Sequence, residues 1–326
     1  MKNTVRWIIA VLLLAALALG LSSPSVAEGI KLPLDFTKGG MKTDKENWTF
    51  DGKTPIAYSD STIEVTSEVG HVVLPAQTKR PKNVKHEYWV IRIKIKDASQ
   101  FRTAMSKDTF TGGGQAKGED IAKSKNAVVA MNGDFFKYEK DVGYVIRQGE
   151  FIRDATDNKR SRIFDMLIVD SEGDFYTIPS AKTKEIEAFV NETLEPKGRT
   201  VLDAFNLGPV LVVNGEAQDI ASSEAAKQGM YQWKYPQQRI ALIQTGPLEY
   251  AIVEVYGKTD GTAGMTLMEF ADLIVEKVPD AIIAYNFDGG GSTNLIMNNK
   301  RVCKTPGLRE ITDIIYFASA EGYAEE

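Results

Sequence analysis

Two stretches of this chain deliver an Asn, a Gly and an Asp directly after an apolar run. Asn132-Gly133-Asp134-Phe135-Phe136 follows the run 127–131, and Asn286-Phe287-Asp288-Gly289-Gly290-Gly291-Ser292-Thr293 follows the run 281–285. A carboxylate on a turn that has just left the core is placed for acid–base or nucleophilic work. Three successive glycines lack Cβ atoms, so their N–H groups can close around an anion such as a phosphate oxygen. Asp288 stands beside them, ready to meet the atom bonded to that phosphate. An isolated Asp-Gly pair reads as a capped tight turn. Three glycines followed by Ser292 and Thr293 favour a site, while Asp134 alone divides evenly between the two readings.

What is missing narrows the chemistry further. The only histidines are His71 and His86, both in or beside a weakly patterned region and read as polar surface residues. A Ser-His-Asp triad, a Cys-His pair and a His-rich zinc site are therefore excluded as expectations. Cys303 is the single cysteine, so no internal disulfide is available, and a structural thiol is expected. Acid–base work falls to carboxylates. Asn206 and Gly208, within Phe205-Asn206-Leu207-Gly208-Pro209, can offer an amide and backbone groups to a sugar. Arg239 opens an apolar run, and its guanidinium can grip a phosphate bidentately or make a surface ion pair. Gly112-Gly113-Gly114 lacks a preceding strand pattern and reads as a flexible loop. Neither glycine run matches a nucleotide phosphate loop or a dinucleotide fingerprint. Asp120, Asp134 and Asp288 have no ligand spacing, so no metal and no other cofactor is expected.

The elements that must position these residues are mostly strands. Ile91, Ile93 and Ile95 alternate with Arg92, Lys94 and Lys96, the pattern of a strand with one wet face. Residues 127–131 are continuously apolar, a strand buried on both faces. Further strands are expected at 163–169, 210–213, 240–243, 250–255, 281–285, 295–297 and 311–317, with a hairpin turn at Asn214-Gly215. One helix, over 266–278, carries a capping box in Thr266 and Glu269 and a single apolar face. Residues 28–85 read as an N-terminal arm with short strands at 63–65 and 71–74. The expected fold class is α+β: a single strand-rich domain with mixed sheets and a few helices.

Bulk properties set the context. Lys2 and Arg6 precede an apolar run to Leu21, and small residues lead to Ala27, the layout of a cleaved export signal over 1–27. An uncleaved anchor is the alternative, and no membrane span is expected after cleavage. The protein is then expected to be secreted or held at the cell surface. A net charge of −5 over 326 residues argues against a nucleic-acid partner, which calls for a basic stripe. Oligomeric state is not legible.

The same motifs, in the same order, resemble the phosphodiester glycosidase family. The resemblance rests on Asn132-Gly133-Asp134-Phe135-Phe136, the stretch 207–215, Gly264-Met265-Thr266-Leu267 with its helix, and the Asp288-Gly289-Gly290-Gly291-Ser292 turn. It spans about residues 86–318, leaving 319–326 as a tail. It implies hydrolysis of the bond between a sugar's anomeric carbon and a phosphodiester, with a phosphate-linked glycan as substrate. The motif positions it carries over are Asn132, Asp134, Gly208, Arg239, Asp288, Gly289, Gly290 and Ser292. Two stretches depart from the family's usual wording: Gln238 and Ile240–Ile243 keep only Arg239 and Ala241 of one motif, and Tyr256 replaces an acid in another.

Chemistry fits that implication. Phosphate is a weakly basic leaving group, so expelling it needs less general-acid help than expelling an alcohol. Asp288 is the expected nucleophile or general base, Asp134 its partner carboxylate, and the glycine amides with Arg239 stabilise charge on phosphate. A non-catalytic module binding phosphate-bearing wall polymer, and an assembly protein that transfers the sugar to a hydroxyl, remain the competing readings.

Overall fold

Side-chain alternation along one strand shows how the molecule is layered. In Arg239–Gly246, Ile240 and Leu242 enter one apolar cluster while Ala241 and Ile243 enter another on the opposite face. That strand lies within a nine-stranded sheet, the central sheet. Its order is Trp48–Asp51, Thr54–Ser59, Ile63–Leu74, Val84–Ile95, Glu249–Val255, Arg239–Gly246, Ile283–Asn286, Val210–Val213 and Glu216–Ala217. The structure, a computed structural model, describes residues 32, 39–43, 46–107, 114–134, 143–156, 165–227, 232–258 and 260–323. The export-signal residues 1–27, Phe135, Phe136, Gly112, Gly113 and the first two residues of the expected strand 163–169 lie outside them.

Two five-stranded sheets share the first cluster. One, the Asn132 sheet, runs Lys300–Arg301, Leu295–Met297, Val129–Asn132, Asp313–Phe317 and Phe101–Met105. The other, the Arg147 sheet, runs Phe175–Ile178, Met166–Asp170, Val201–Phe205, Tyr144–Arg147 and Glu150–Asp154. Val129 and Met131 from the first, and Leu167 and Val169 from the second, meet Ile240 and Leu242 of the central sheet in one core. Each sheet then buries its other face under a helix. Leu267–Lys277 covers the central sheet through Phe270 and Ile274, Gly118–Lys125 covers the Asn132 sheet through Ile121, and Thr183–Phe189 covers the Arg147 sheet through Ile186. Every strand pairing among the described residues is antiparallel, so the α+β class holds while the expected mixed sheets become antiparallel ones.

The expected helix forms over Leu267–Lys277 with its capping box intact. Thr266 Oγ1 accepts from the Glu269 N–H, and Glu269 Oε2 accepts from the Thr266 N–H. Residues 63–74, expected as two short strands, form one strand that pairs residue by residue with Val84–Ile95. Its outer half carries Glu68, Gly70 and His71 and is only partly covered, which removes the alternation a sequence reading needs. His86 is buried, not a surface residue: its Nε2 accepts from the Gly264 N–H at 3.2 Å. Burial, with help from the nearby Arg80 charge, lowers its pKa to about 4.

Candidate active site

The Asn132-Gly133-Asp134 and Asn286-Phe287-Asp288 junctions leave different sheets and arrive at one cleft, lined by Asn132, Gly133, Asp134, Asp288, Ser292, Glu310, Ile311, Thr312 and Asp313. Asn132 is the clasp between them. At the end of its strand it donates from Nδ2 to the Asp288 carbonyl at 2.8 Å and accepts at Oδ1 from the Asn294 N–H at 3.0 Å. Asn286 ties in the third stretch, donating from Nδ2 to the Gly208 carbonyl at 2.7 Å. Phe287 is fully buried against Phe205 and Tyr285, so the residue before Asp288 anchors the turn.

Glycine at these positions answers to close packing. A Cβ on Gly289 would sit 2.5 Å from the Gln238 carbonyl oxygen, and one on Gly291 would sit 2.5 Å from that of Gly307. Gly290 has φ of +57° and gives its N–H to the Gln238 carbonyl, and Gly289 turns its N–H to the Asp288 carboxylate. A Cβ on Gly133 would strike the Asp313 carboxylate at about the same distance, 2.5 Å. Two of the three glycine amides are thus already used inside the turn.

Asp134 and Asp288 share the cleft but sit in unlike surroundings. Asp134 is buried, with Oδ1 paired to Arg147 Nη2 at 2.7 Å and Oδ2 accepting from the Asn206 N–H at 3.0 Å. Arg147 is itself fully buried. It reaches Asp313 Oδ2 with Nε at 3.3 Å, gives Nη1 to the Ile146 and Ala204 carbonyls, and lies 4.2 Å over the Phe205 ring. Burial opposes its charge, yet Asp134, Asp313 and Asp203 together hold its pKa above the ordinary value. Burial raises the pKa values of Asp313 and Asp203 against the pull of the same guanidinium.

Asp288 keeps 19% of its side chain exposed. Arg309 Nη2 lies 3.2 Å from its Oδ2, and Arg309 Nε donates to Ser292 Oγ at 2.7 Å, while the Ser292 hydroxyl bonds the Asp288 carboxylate. Burial raises the Asp288 pKa, and Ser292, Arg309 and the Gly289 N–H pull it back. Unpaired polar atoms gather on this side: among the described residues Thr293 Oγ1, Asn294 Oδ1, Asn286 Oδ1 and Thr312 Oγ1 are buried without a hydrogen-bond partner.

Arg239 stands apart from the cleft lining. Its guanidinium is buried and donates to the carbonyls of Met265, Gln232 and Tyr235, which fixes the loop leading into the 267–277 helix. Asn206 brackets Tyr144, accepting its N–H at 2.9 Å and donating to its carbonyl. Thr293 Oγ1 is buried, not presented to solvent. The sequence reading missed Arg147, Arg309 and Asp313. A signal existed for two of them: Arg147 and Asp313 are charged residues at the ends of apolar strands, and such a charge needs a buried partner. Among the described residues no group of three or more His, Cys, Asp or Glu side chains is arranged to hold a metal ion.

A family model described as phosphodiester glycosidase matches residues 125–318, well over half of the chain. The fold is similar to that of the zebrafish N-acetylglucosamine-1-phosphodiester alpha-N-acetylglucosaminidase catalytic domain, a structure described as auto-inhibited by its pro-peptide. The match has a TM-score of 0.60 at 14% identity and covers 82% of this chain and 85% of that one. A hypothetical protein from Synechocystis is similar at a TM-score of 0.50 and 16% identity, covering 81% of this chain and 64% of that one. No curated protein sequence matches the chain.

Proposed function

The chain belongs to the phosphodiester glycosidase family, and from that premise we propose that it is an exported hydrolase of sugar-1-phosphodiesters. One observation carries the reading: Asp288 is a partly exposed carboxylate in the cleft, on a turn held in place by Asn132, Phe287 and the glycines. It faces the position of an anomeric carbon and acts there as nucleophile or as the base that activates water. Phosphate leaves without much protonation, so one accessible carboxylate is enough for the bond-breaking step.

Asp134 then serves the reaction indirectly. Both its oxygens are occupied, by Arg147 and by the Asn206 N–H, so we assign it to positioning the cleft wall rather than to attack. Asn132 and Gly133 shape the wall, with Asn206 bonded to Asp134 and Gly208 bonded to Asn286 behind it. Ser292 fixes the Asp288 carboxylate, Thr293 supports the turn from within, and Arg239 holds the loop behind it. The substrate class is a phosphate-linked glycan at or outside the cell surface. Support for that location is the positive, then apolar, then small-residue pattern of residues 2–27.

The test is a screen of purified protein against sugar-1-phosphodiesters, with Asp288→Asn in parallel and products identified. Free sugar that appears with wild type and not with the variant supports hydrolysis. A new glycoside in place of free sugar sinks it in favour of transfer.

A further inference from the structure

The geometry points to Arg309 and Thr312 as an anion subsite that grips the phosphate of the substrate and makes the cleft prefer phosphodiesters over neutral glycosides. This rests on the hydrolase reading above for its substrate but not for its ligand chemistry.

Four carboxylates line the cleft: Asp134, Asp288, Glu310 and Asp313. Arg147 pairs with Asp134 and Asp313, which leaves Asp288 and Glu310 to repel an entering phosphodiester unless a further cation meets it. Arg147 cannot do so, because its guanidinium is fully buried and shared among Asp134, Asp313 and two carbonyls. Arg239 is buried behind the turn, with Nε and Nη2 given to three loop carbonyls and Nη1 beside the Gln237 amide. Arg309 is placed differently. Its side chain is 55% exposed at the rim, with Nε on Ser292 Oγ and Nη2 beside Asp288 Oδ2.

Its backbone is fixed too. The Arg309 N–H donates to the Gly291 carbonyl at 2.9 Å, and Gly307 packs against Gly291 so closely that no Cβ fits there. A planar guanidinium has five donors in a fork, so it can keep Asp288 and Ser292 while turning further N–H groups to a phosphate oxygen. Thr312 supplies the second, independent observation. The residue lines the cleft and is 4% exposed, and its Oγ1 is buried with no hydrogen-bond partner among the described residues. A buried hydroxyl with an unspent proton is a donor in search of an acceptor, and a phosphate oxygen beside Arg309 is one. Holding the phosphate there keeps the leaving group on the rim and its anomeric carbon over Asp288.

Calorimetric titration with inorganic phosphate tests the subsite without relying on turnover. Wild type is compared with R309Q, R309K and T312V, each checked by thermal melting. Affinity is expected to fall roughly 10- to 100-fold in R309Q, the range for losing a charged hydrogen bond, with R309K between and T312V reduced several-fold. In parallel, the ratio of kcat/KM for a sugar-1-phosphodiester to that for a neutral aryl glycoside is expected to fall in R309Q. Equal phosphate affinity in wild type and R309Q, or no phosphate binding by wild type, overturns the subsite. Arg309-dependent phosphate binding by a protein that hydrolyses neither substrate leaves the subsite standing and overturns the hydrolase reading instead. If R309Q melts early, R309K decides: full wild-type affinity in R309K shows that charge and not the fork is used, and lost affinity with an unchanged melt supports the fork.

Discussion

The two aspartates of the cleft live under opposite regimes. Around Asp134 every group is spent: Arg147 and the Asn206 N–H take its oxygens, and Arg147 goes on to Asp313 and to backbone carbonyls. Around Asp288 the groups are in reserve, with an exposed arginine, a partly exposed carboxylate and several buried polar atoms lacking partners. A saturated buried network is stiff, and removing one member strands the others in a medium of low dielectric. An unsaturated rim has capacity left for a ligand. On the proposed reading the first side is the frame and the second the working face, although each junction carries an Asn, a Gly and an Asp.

The largest expected effect is on the frame. Arg147→Met leaves Asp134, Asp313 and Asp203 without their shared cation, and unfolding by denaturant should show a loss of about 3–5 kcal/mol. A loss below about 1 kcal/mol would mean that these carboxyls are already neutral and need no cation. Next comes the working face and pH. If Asp288 must be ionised to act, its raised pKa places the acid limb of kcat/KM above the ordinary carboxylate value, with the rate climbing as pH rises. A rate that instead falls through that limb would make Asp288 a general acid.

A smaller effect lies behind the turn. Glu254 is buried and bonded to Gln238 Nε2 at 2.7 Å, and the Gln238 carbonyl holds the Gly290 N–H. Burial first, then the Glu87 charge, raises its pKa to about 8, against the pull of Gln238. A folded carboxyl with a raised pKa binds more protons than the unfolded one. Its stabilisation is thus full below the unfolded value of 4.5 and lost as pH rises towards 8. Glu254→Gln should flatten that decline, raising the melting temperature near pH 8 by on the order of 5 °C. An unchanged pH slope would show that Glu254 is not its source. Smallest is the cap: Thr266→Ala should cost about 1 kcal/mol by denaturant unfolding, with the helix retained.

How much of this was written in the chain follows from range. The apolar runs before Asn132 and Asp288, the capping box at Thr266 and the hairpin at Asn214-Gly215 are local signals, and each took the expected form. The long 63–74 strand was hidden because its outer half is only partly covered and carries Glu68, Gly70 and His71 where a clear apolar alternation would need core residues. The Arg147 network was hidden for a different reason. Its members come from positions 134, 147, 203 and 313, and no spacing along the sequence joins them until three sheets close on one core. Arg239 matched the family wording, yet geometry turns it to carbonyls and brings Arg309 to Asp288.

The central claim is that Asp288 acts and Asp134 holds. It is tested most directly by measuring kcat/KM on a sugar-1-phosphodiester and the melting temperature together, for wild type, Asp288→Asn and Asp134→Asn. Asp288→Asn is expected to lose roughly a thousandfold in kcat/KM or more while melting at or above the wild-type temperature, because burial already penalises its charge. Asp134→Asn should melt several degrees lower. An Asp288→Asn protein that keeps wild-type activity, or an Asp134→Asn protein that melts normally but is dead, would contradict it.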